Sequence, residues 1–198
     1  MFKLIILEGA RGTGKSTIAF KLRQILKNST LINFTGFDDD NVEGLDKIKN
    51  YYHSWLDLFR KFKWNVPNQI IICDRFFPSE MVYSFLYKSY DFDKEFLDFT
   101  NILPTLADEI YLLNFLIEDE KELNNRLIRD KVPFGKVKES VSETLKQQST
   151  YKNVFEKMRN VELPPLIKDS MNFIDINTTN KPVEFVLQEV LKSINETQ

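Results

Sequence analysis

Residues 9–16 of the chain read GARGTGKS and form a glycine-rich loop that few folds can accommodate. The spacing fits G-x-x-x-x-G-K-[ST], a loop whose backbone N–H groups surround phosphate oxygens between a strand and a helix. Residues 2–7 form an apolar run typical of a buried parallel strand, and residues 17–26 place apolar side chains at helical spacing. Strand, glycine loop and helix in this order predict a P-loop that binds a nucleoside triphosphate.

The residue types within the loop have physical reasons. Glycines lack a Cβ, so the backbone turns tightly and approaches a phosphate closely. We expect the Lys15 ammonium to contact the outer phosphates and the Ser16 hydroxyl to coordinate Mg²⁺. The predicted nucleotide-binding residues are Gly9, Arg11, Gly12, Thr13, Gly14, Lys15, Ser16 and Thr17.

The composition of the chain bounds its class. Its 198 residues are enough for one domain, predicted over residues 1–198, and a net charge of −2 gives no bulk reason to expect binding to a polynucleotide. One cysteine excludes an internal disulfide, and one histidine argues against a His-centred triad or a His-rich metal site. Because no apolar run approaches the ~20 residues of a membrane helix, we expect a soluble cytoplasmic protein that does not enter the membrane.

Strand-like and helix-like segments alternate along the chain. Beyond the first strand, strands are predicted at residues 30–34, 69–73, 109–115 and 172–176, with helical patterns between them. Such alternation predicts an α/β fold with a parallel sheet and helices on both of its faces.

Polar residues follow two of the predicted strands. Asp74 and Arg75 come directly after the third strand, at the carboxyl end where ligands bind in open α/β sheets, which favours a site over a structural ion pair. Asp38, Asp39 and Asp40 follow the second strand. These carboxylates either face the nucleotide and Mg²⁺ or, as we favour, lie in a solvated turn that caps the next helix.

A basic region follows the fourth strand. Arg126 and Arg129 lie one turn apart on a predicted helix, and residues 130–138 are basic and broken by proline and glycine. Phosphoryl transfer needs alignment and positive charge on the migrating group, which arginine supplies in bidentate form. We therefore predict a short mobile lid at approximately residues 129–140, with a merely solvated loop as the alternative.

Two segments resemble thymidylate kinases and the related deoxynucleoside kinases. Residues 7–17 read LEGARGTGKST, which is similar to the opening of these enzymes. Residues 74–83 read DRFFPSEMVY, which resembles the thymidylate kinase stretch D-R-[YFW]-x-x-S-x-x-A-Y. The resemblance implies the nucleoside monophosphate kinase fold, with strand order 2-3-1-4-5, and an ATP-dependent kinase of a nucleoside monophosphate such as dTMP.

The resemblance also implies roles for individual residues. ATP and Mg²⁺ would be the ligands of the P-loop, with Ser16 and Asp74 near the metal. The catalytic residues would be Lys15, Asp74, Arg75, Arg126 and Arg129. The acceptor would meet Arg75, Ser79 and Tyr83, and candidates for its base are Trp55, Phe59 and Arg60. An aromatic stripe at helical spacing, such as the one that holds Trp55, is otherwise usually core.

Two departures from the family leave the acceptor open. Arg11 stands where thymidylate kinases usually have an acid, and residues 36–40 replace a stretch that carries an arginine for the acceptor phosphate. The alternatives are a deoxynucleoside kinase with Asp38, Asp39, Asp40 or Asp74 as general base, a kinase of a modified base or end in DNA, and a nucleotide-binding protein without turnover. The expected partner is a small-molecule nucleotide, nucleic acid is not expected, and a homodimer is left open.

Overall fold

The protein is built around a five-stranded parallel sheet in the order β2-β3-β1-β4-β5, as the resemblance implies. The computed structural model describes residues 1–34, 36–66, 68–164 and 169–194, and only the backbone of Phe134. The strands are β1 (Lys3–Gly9), β2 (Ser29–Asn33), β3 (Ile70–Asp74), β4 (Glu109–Leu116) and β5 (Met171–Asn177). Every residue of β1 is buried, which is why its sequence is a nearly continuous apolar run.

Helices cover both faces of the sheet. They are α1 (Lys15–Ile25), α2 (Asn41–Asn65), α3 (Phe77–Tyr87), α4 (Asp93–Ile102), α5 (Glu120–Arg129), α6 (Val137–Arg159) and α7 (Val183–Ser193), with short 3-10 turns at Leu103–Thr105 and Phe134–Lys136. One core lies between the sheet and α2, α3, α4 and α6, and includes Leu4, Phe59, Phe76 and Phe155. The other lies between the sheet and α1 and α7, and includes Ile5, Leu22, Leu113 and Val190. This division confirms the predicted layers.

The basic region after α5 is more regular than its sequence suggested. The α6 helix begins at Val137, inside the segment predicted as a lid at approximately residues 129–140. Val132 and Val137 are buried in a third small cluster with Leu123 and Leu127 of α5. Apolar side chains at both ends of the proline- and glycine-containing stretch therefore attach it to α5.

The carboxyl ends of β1, β3 and β4 meet at one edge of the sheet, where the P-loop begins. The register pairs Leu7 with Asp74 and Gly9 with Phe115, so three chain segments are brought together there. Within the described residues, no helix is both long enough and apolar enough to cross a membrane.

Candidate active site

The P-loop leaves β1 through a backbone turn that requires glycine. Gly9 has a φ of 142°, and a Cβ added there would lie 2.6 Å from the carbonyl oxygen of Phe115. The Thr13 hydroxyl donates a hydrogen bond of 2.9 Å to the carbonyl of Ala10 and closes the loop. The loop is therefore pressed against the end of β4 in a shape that other residues at position 9 do not permit.

A cavity of about 230 Å³ lies above this loop, and we call it the P-loop cavity. Its lining contains the predicted nucleotide-binding residues with the exception of Gly9. The cavity is lined by Ala10, Arg11, Gly12, Thr13, Gly14, Lys15, Ser16, Thr17, Arg75, Arg129 and Asp130. Arg75 from the end of β3 and Arg129 from the end of α5 thus reach the same space as Lys15.

Lys15 and Asp74 form a buried ion pair in the floor of the site, with Lys15 Nζ 3.4 Å from Asp74 Oδ1. At that distance the pair is an electrostatic contact and leaves Asp74 Oδ1, a buried atom, without a hydrogen bond. Burial and the neighbouring Arg75 lower the pKa of the Lys15 ammonium, while Asp74 and Glu8 raise it.

The oxygens beside Lys15 are of the kind that Mg²⁺ prefers. The Ser16 hydroxyl lies 3.4 Å from Lys15 Nζ, and the Asp74 carboxylate has the unbonded oxygen. Mg²⁺ is commonly held by one or two such protein oxygens together with substrate phosphates, so this donor set fits the ion. Among the described residues, no three His, Cys, Asp or Glu side chains are grouped to hold a metal by themselves.

A second cavity, of about 600 Å³, opens beside the P-loop between α1, α5 and α7, and we call it the α7 cavity. Arg126 lines it but is already engaged: it donates to the carbonyl of Gly12 at 3.1 Å and to the carbonyl of Thr178 at 2.7 Å, and it pairs with Glu122. Arg129 lines both this cavity and the P-loop cavity and is exposed. The two arginines are thus placed differently, since Arg126 ties the P-loop to the segment after β5, whereas Arg129 is exposed and pairs with its chain neighbour Asp130 at 3.3 Å.

A third cavity, of about 500 Å³, lies on the other side of Arg75, and we call it the α3 cavity. It contains the predicted acceptor residues Arg75, Ser79 and Tyr83. The full lining is Phe34, Gly36, Phe37, Asp38, Tyr52, Arg75, Ser79, Glu80, Tyr83, Tyr87 and Lys88. Arg75 is therefore shared between the P-loop cavity and the α3 cavity.

The three residues predicted to contact the base, Trp55, Phe59 and Arg60, do not line the α3 cavity. Phe59 is fully buried in the core, and the Trp55 ring packs edge-on against Phe34 at 5.1 Å between centroids. Arg60 is exposed and pairs with Asp57 at 2.7 Å. The aromatic stripe of α2 is mainly core, as its helical spacing favours. The aromatic residue of α2 that lines the α3 cavity is Tyr52, whereas the sequence analysis named Trp55 and Phe59.

Arg75 owes its position to an unusual backbone conformation and to three side chains. Its φ is 71°, in the left-handed region, and its N–H donates to the carbonyl of Leu7 at 2.9 Å. Its guanidinium donates to the Tyr151 hydroxyl at 2.7 Å and to the Ser79 hydroxyl at 3.2 Å, and lies 5.4 Å from the centre of the Tyr83 ring. A strained conformation held by this many contacts is typical of a functional position.

Glu8 is a residue of this site that the sequence patterns did not single out. It is fully buried, and it accepts hydrogen bonds from the Phe76 N–H at 2.7 Å and from the Ser79 hydroxyl at 2.5 Å. Burial raises the pKa of its carboxyl to about 7, against the lowering effects of Ser79, Arg75 and Lys15. A charged residue inside the apolar run of β1 was the signal for it, because burial of such a group is costly without a partner.

The three carboxylates after β2 have separate positions. Asp40 accepts from the Asn41 N–H at 2.8 Å and from Ser89, so the capping interpretation is confirmed for it. Asp39 pairs with Lys47 at 2.6 Å on the surface. Asp38 alone lines the α3 cavity.

The fold is shared with solved structures. The deoxyadenosine kinase from M. mycoides with bound dCTP matches with a TM-score of 0.52 and 16% identity, over 100% of both chains. An uncharacterized protein from Eubacterium ventriosum matches with the same TM-score and identity, over 100% of this chain and 99% of that one. At this identity the likeness establishes the fold alone.

The sequence comparison adds a curated relative. The chain is 23% identical over 205 residues to a probable thymidylate kinase from Methanococcus aeolicus, and the alignment covers 98% of this chain and 96% of the relative. No family model matches the chain. The chain thus resembles a probable thymidylate kinase over nearly its full length, in agreement with the resemblance of residues 7–17 and 74–83.

Proposed function

We propose that this nucleotide kinase transfers the γ-phosphoryl group of ATP to a nucleoside monophosphate. The observation that carries the proposal is the position of Arg75, which lines both the P-loop cavity and the α3 cavity. An arginine fork between two cavities is suited to bind the phosphates of two substrates and to align them. Thymidylate is the acceptor that the relative's name suggests.

The donor fits the P-loop side of Arg75. The loop's N–H groups and Lys15 would hold the β- and γ-phosphates of ATP, and the α7 cavity beside them has room for the nucleoside. Ser16 and Asp74 would hold Mg²⁺, which when bound neutralises charge on the phosphates. Arg126 would act indirectly, because its bonds to Gly12 and Thr178 fix the shape of the loop.

The transfer then follows from the alignment of charges. A phosphate oxygen of the acceptor attacks the γ-phosphorus, the bond from that phosphorus to the bridging oxygen breaks, and ADP leaves with the electron pair. Lys15 would stay on the transferred group, Arg75 would hold the acceptor phosphate, and Arg129 would approach from the lid segment at residues 129–140. We propose this segment as the lid of one kinase domain.

The proposal is tested by incubating the purified protein with ATP and Mg²⁺ and each of the four deoxynucleoside monophosphates, and by measuring ADP release. We expect turnover with at least one acceptor, at least about 10²-fold above the Lys15→Ala variant, since removal of one well-placed charge commonly costs that much. A folded protein that releases ADP with no monophosphate above background contradicts the proposal. A nucleoside panel run in parallel separates that outcome from the second candidate function.

The second candidate function is a deoxynucleoside kinase, and Glu8 is the observation that favours it. A kinase that phosphorylates a hydroxyl needs a general base, and a carboxyl with a pKa of about 7 is suited to accept a proton near neutral pH. Both Glu8 oxygens are, however, engaged by Phe76 and Ser79, which favours a role in holding the loop around Arg75. A higher kcat/KM with nucleosides than with their monophosphates would reverse the ranking.

A further inference from the structure

The α3 cavity contains one buried carboxylate that the transfer reaction does not use. Glu80, the residue after Ser79 on α3, is 4% exposed and lines the cavity. Its Oε1 accepts a hydrogen bond of 2.5 Å from the Tyr90 hydroxyl. Its Oε2 accepts no hydrogen bond from the residues that the structure describes, and it lies 3.9 Å from the position of a Cβ added to Gly36. The absence of a side chain on Gly36 keeps the space beside this oxygen open.

Lys88, whose charge acts on Glu80, forms no ion pair with it in the described part of the chain. Lys88 Nζ donates to the carbonyls of Phe37 and Asp39, each at 2.8 Å. Burial raises the pKa of the Glu80 carboxyl, and the bond from Tyr90 and the charge of Lys88 lower it. In its ionised form, the carboxyl therefore presents one free acceptor oxygen to whatever enters the cavity.

The walls around that oxygen are suited to a flat ring. Four aromatic residues line the cavity, namely the buried Phe34 and Tyr52 and, on α3, Tyr83 and Tyr87. Arg75 is the cation that the α3 cavity shares with the P-loop cavity. An acceptor whose phosphate binds Arg75 would therefore have its base in the cavity that these aromatic rings and Glu80 line.

We propose that Glu80 selects acceptors whose base carries an exocyclic amine where thymine carries O4, namely cytosine and adenine, over thymine. This inference rests on the proposed function, because it names the acceptor class of the same site. Cytosine N4 and adenine N6 donate hydrogen bonds, whereas thymine presents the O4 acceptor at the corresponding edge. A buried carboxylate that gains a donor is stabilised, and one that faces a carbonyl is left without a partner at a large cost.

The test measures kcat/KM for phosphorylation of dCMP, dAMP and dTMP at alkaline pH, where the carboxyl is ionised. The dissociation constant of each monophosphate is measured in parallel by calorimetry without ATP. We expect dCMP or dAMP to have a kcat/KM at least about tenfold higher than dTMP, and a dissociation constant at least about tenfold lower. Equal values, or a preference for dTMP, overturn the inference while leaving the kinase proposal intact. Absence of turnover with retained base preference in binding contradicts the kinase proposal instead.

The Glu80→Gln variant sharpens the test because it exchanges an acceptor for a donor. The amide oxygen takes the bond from Tyr90, so the amide NH₂ faces the base and favours thymine O4. We expect the ratio of dCMP to dTMP affinity to fall by about tenfold or more. An unchanged ratio overturns the inference.

Two further variants serve as a control and as an independent test of the assignment to Glu80. Glu95→Gln is the matched control, since Glu95 is also a buried carboxylate but pairs with Lys49 at 3.7 Å and does not line the cavity. It should leave the base ratio unchanged, and a shift equal to that of Glu80→Gln overturns the assignment to Glu80. Tyr90→Phe keeps the carboxylate, so it should keep the preference for amines even where Glu80→Gln fails to fold, and loss of the preference there counts against the proposal.

Discussion

Lys15 Nζ lies 3.4 Å from Asp74 Oδ1 in a buried ion pair that joins the P-loop to the end of β3. A buried pair of this kind is held by two separate elements, so the loop is positioned before a nucleotide arrives. Asp74 Oδ1 accepts no hydrogen bond although it is buried, and burial of such an oxygen costs free energy of folding unless a ligand donates to it or coordinates it. In the proposed reaction, Mg²⁺ bound to the nucleotide would satisfy that oxygen.

Lys15→Ala should abolish most turnover. The variant removes a charge that the proposed reaction uses on the transferred group, so we expect kcat/KM for ATP to fall by about 10² to 10³. Lys21→Ala is the control, because Lys21 lies on the same helix but pairs with Glu184 at the surface. Steady-state kinetics measure kcat/KM for ATP in both variants. An equal fall in Lys15→Ala and Lys21→Ala would argue against a specific role for Lys15.

Arg75→Ala should chiefly weaken the handling of the acceptor. We expect kcat/KM for the acceptor to fall by about 10² to 10³, with a smaller loss for ATP binding alone. Arg60→Ala provides the comparison, since Arg60 was a base candidate but lies outside the α3 cavity and pairs with Asp57. Should Arg60→Ala cost as much as Arg75→Ala, the acceptor would lie elsewhere.

Glu8 should make the stability of the unliganded protein depend on pH. Its folded pKa of about 7 is above the ordinary value of 4.5, so the folded state binds the proton more tightly than the unfolded state. Protonated Glu8 therefore contributes to the free energy of unfolding. This contribution is complete below pH 4.5 and is lost as the pH rises through about 7. Urea unfolding across this range should show a smaller decline in Glu8→Gln than in the wild type.

The control for that measurement is Glu139→Gln, which changes an exposed glutamate of α6. It should keep the wild-type decline in the free energy of unfolding. A Glu8→Gln protein whose stability declines as steeply as that of the wild type would show that Glu8 does not bind the proton.

Gly9→Ala should destabilise the protein by more than about 2 kcal/mol, because it combines a positive φ with a clash. The added Cβ would lie 2.6 Å from the Phe115 carbonyl oxygen, which belongs to the sheet and cannot move freely. Gly135→Ala is the matched change, since a Cβ there meets nothing within 4 Å. Chemical denaturation should show little change for Gly135→Ala, and a similarly small effect at Gly9 would contradict the close packing of the loop.

The fold was predictable because its signals are local. The pattern at residues 9–16 depends on backbone geometry that few folds provide, and the apolar run before it is that of a strand buried on both faces. The start of α6 was harder to place, since Val137 belongs to the helix through its burial against Leu123 and Leu127, and these lie distant in sequence. Such a tertiary contact leaves no mark in the local pattern.

The site was predictable only in part. Arg75, Ser79 and Tyr83 were found because they stand in one short segment with a recognisable spacing. Glu8 and Glu80 depend on what surrounds them, namely a fully buried strand and an aromatic cavity formed by α2, α3 and the chain after β2. On α2, the sequence does not say which aromatic side chain faces the cavity, because the whole stripe has core spacing.

The contacts of Glu8 give the protein a way to exchange protons with its substrates. Arg75 and Lys15 both lower the pKa of the Glu8 carboxyl in the unliganded protein. Phosphates bound to these two cations would cancel part of their field, so the carboxyl would bind hydrogen ions more strongly once the cavities are filled. Nucleotide binding near neutral pH should then be accompanied by proton uptake. Calorimetric titrations in buffers with different ionisation enthalpies would reveal this proton uptake, because the measured binding enthalpy would vary with the buffer. That variation should vanish in Glu8→Gln.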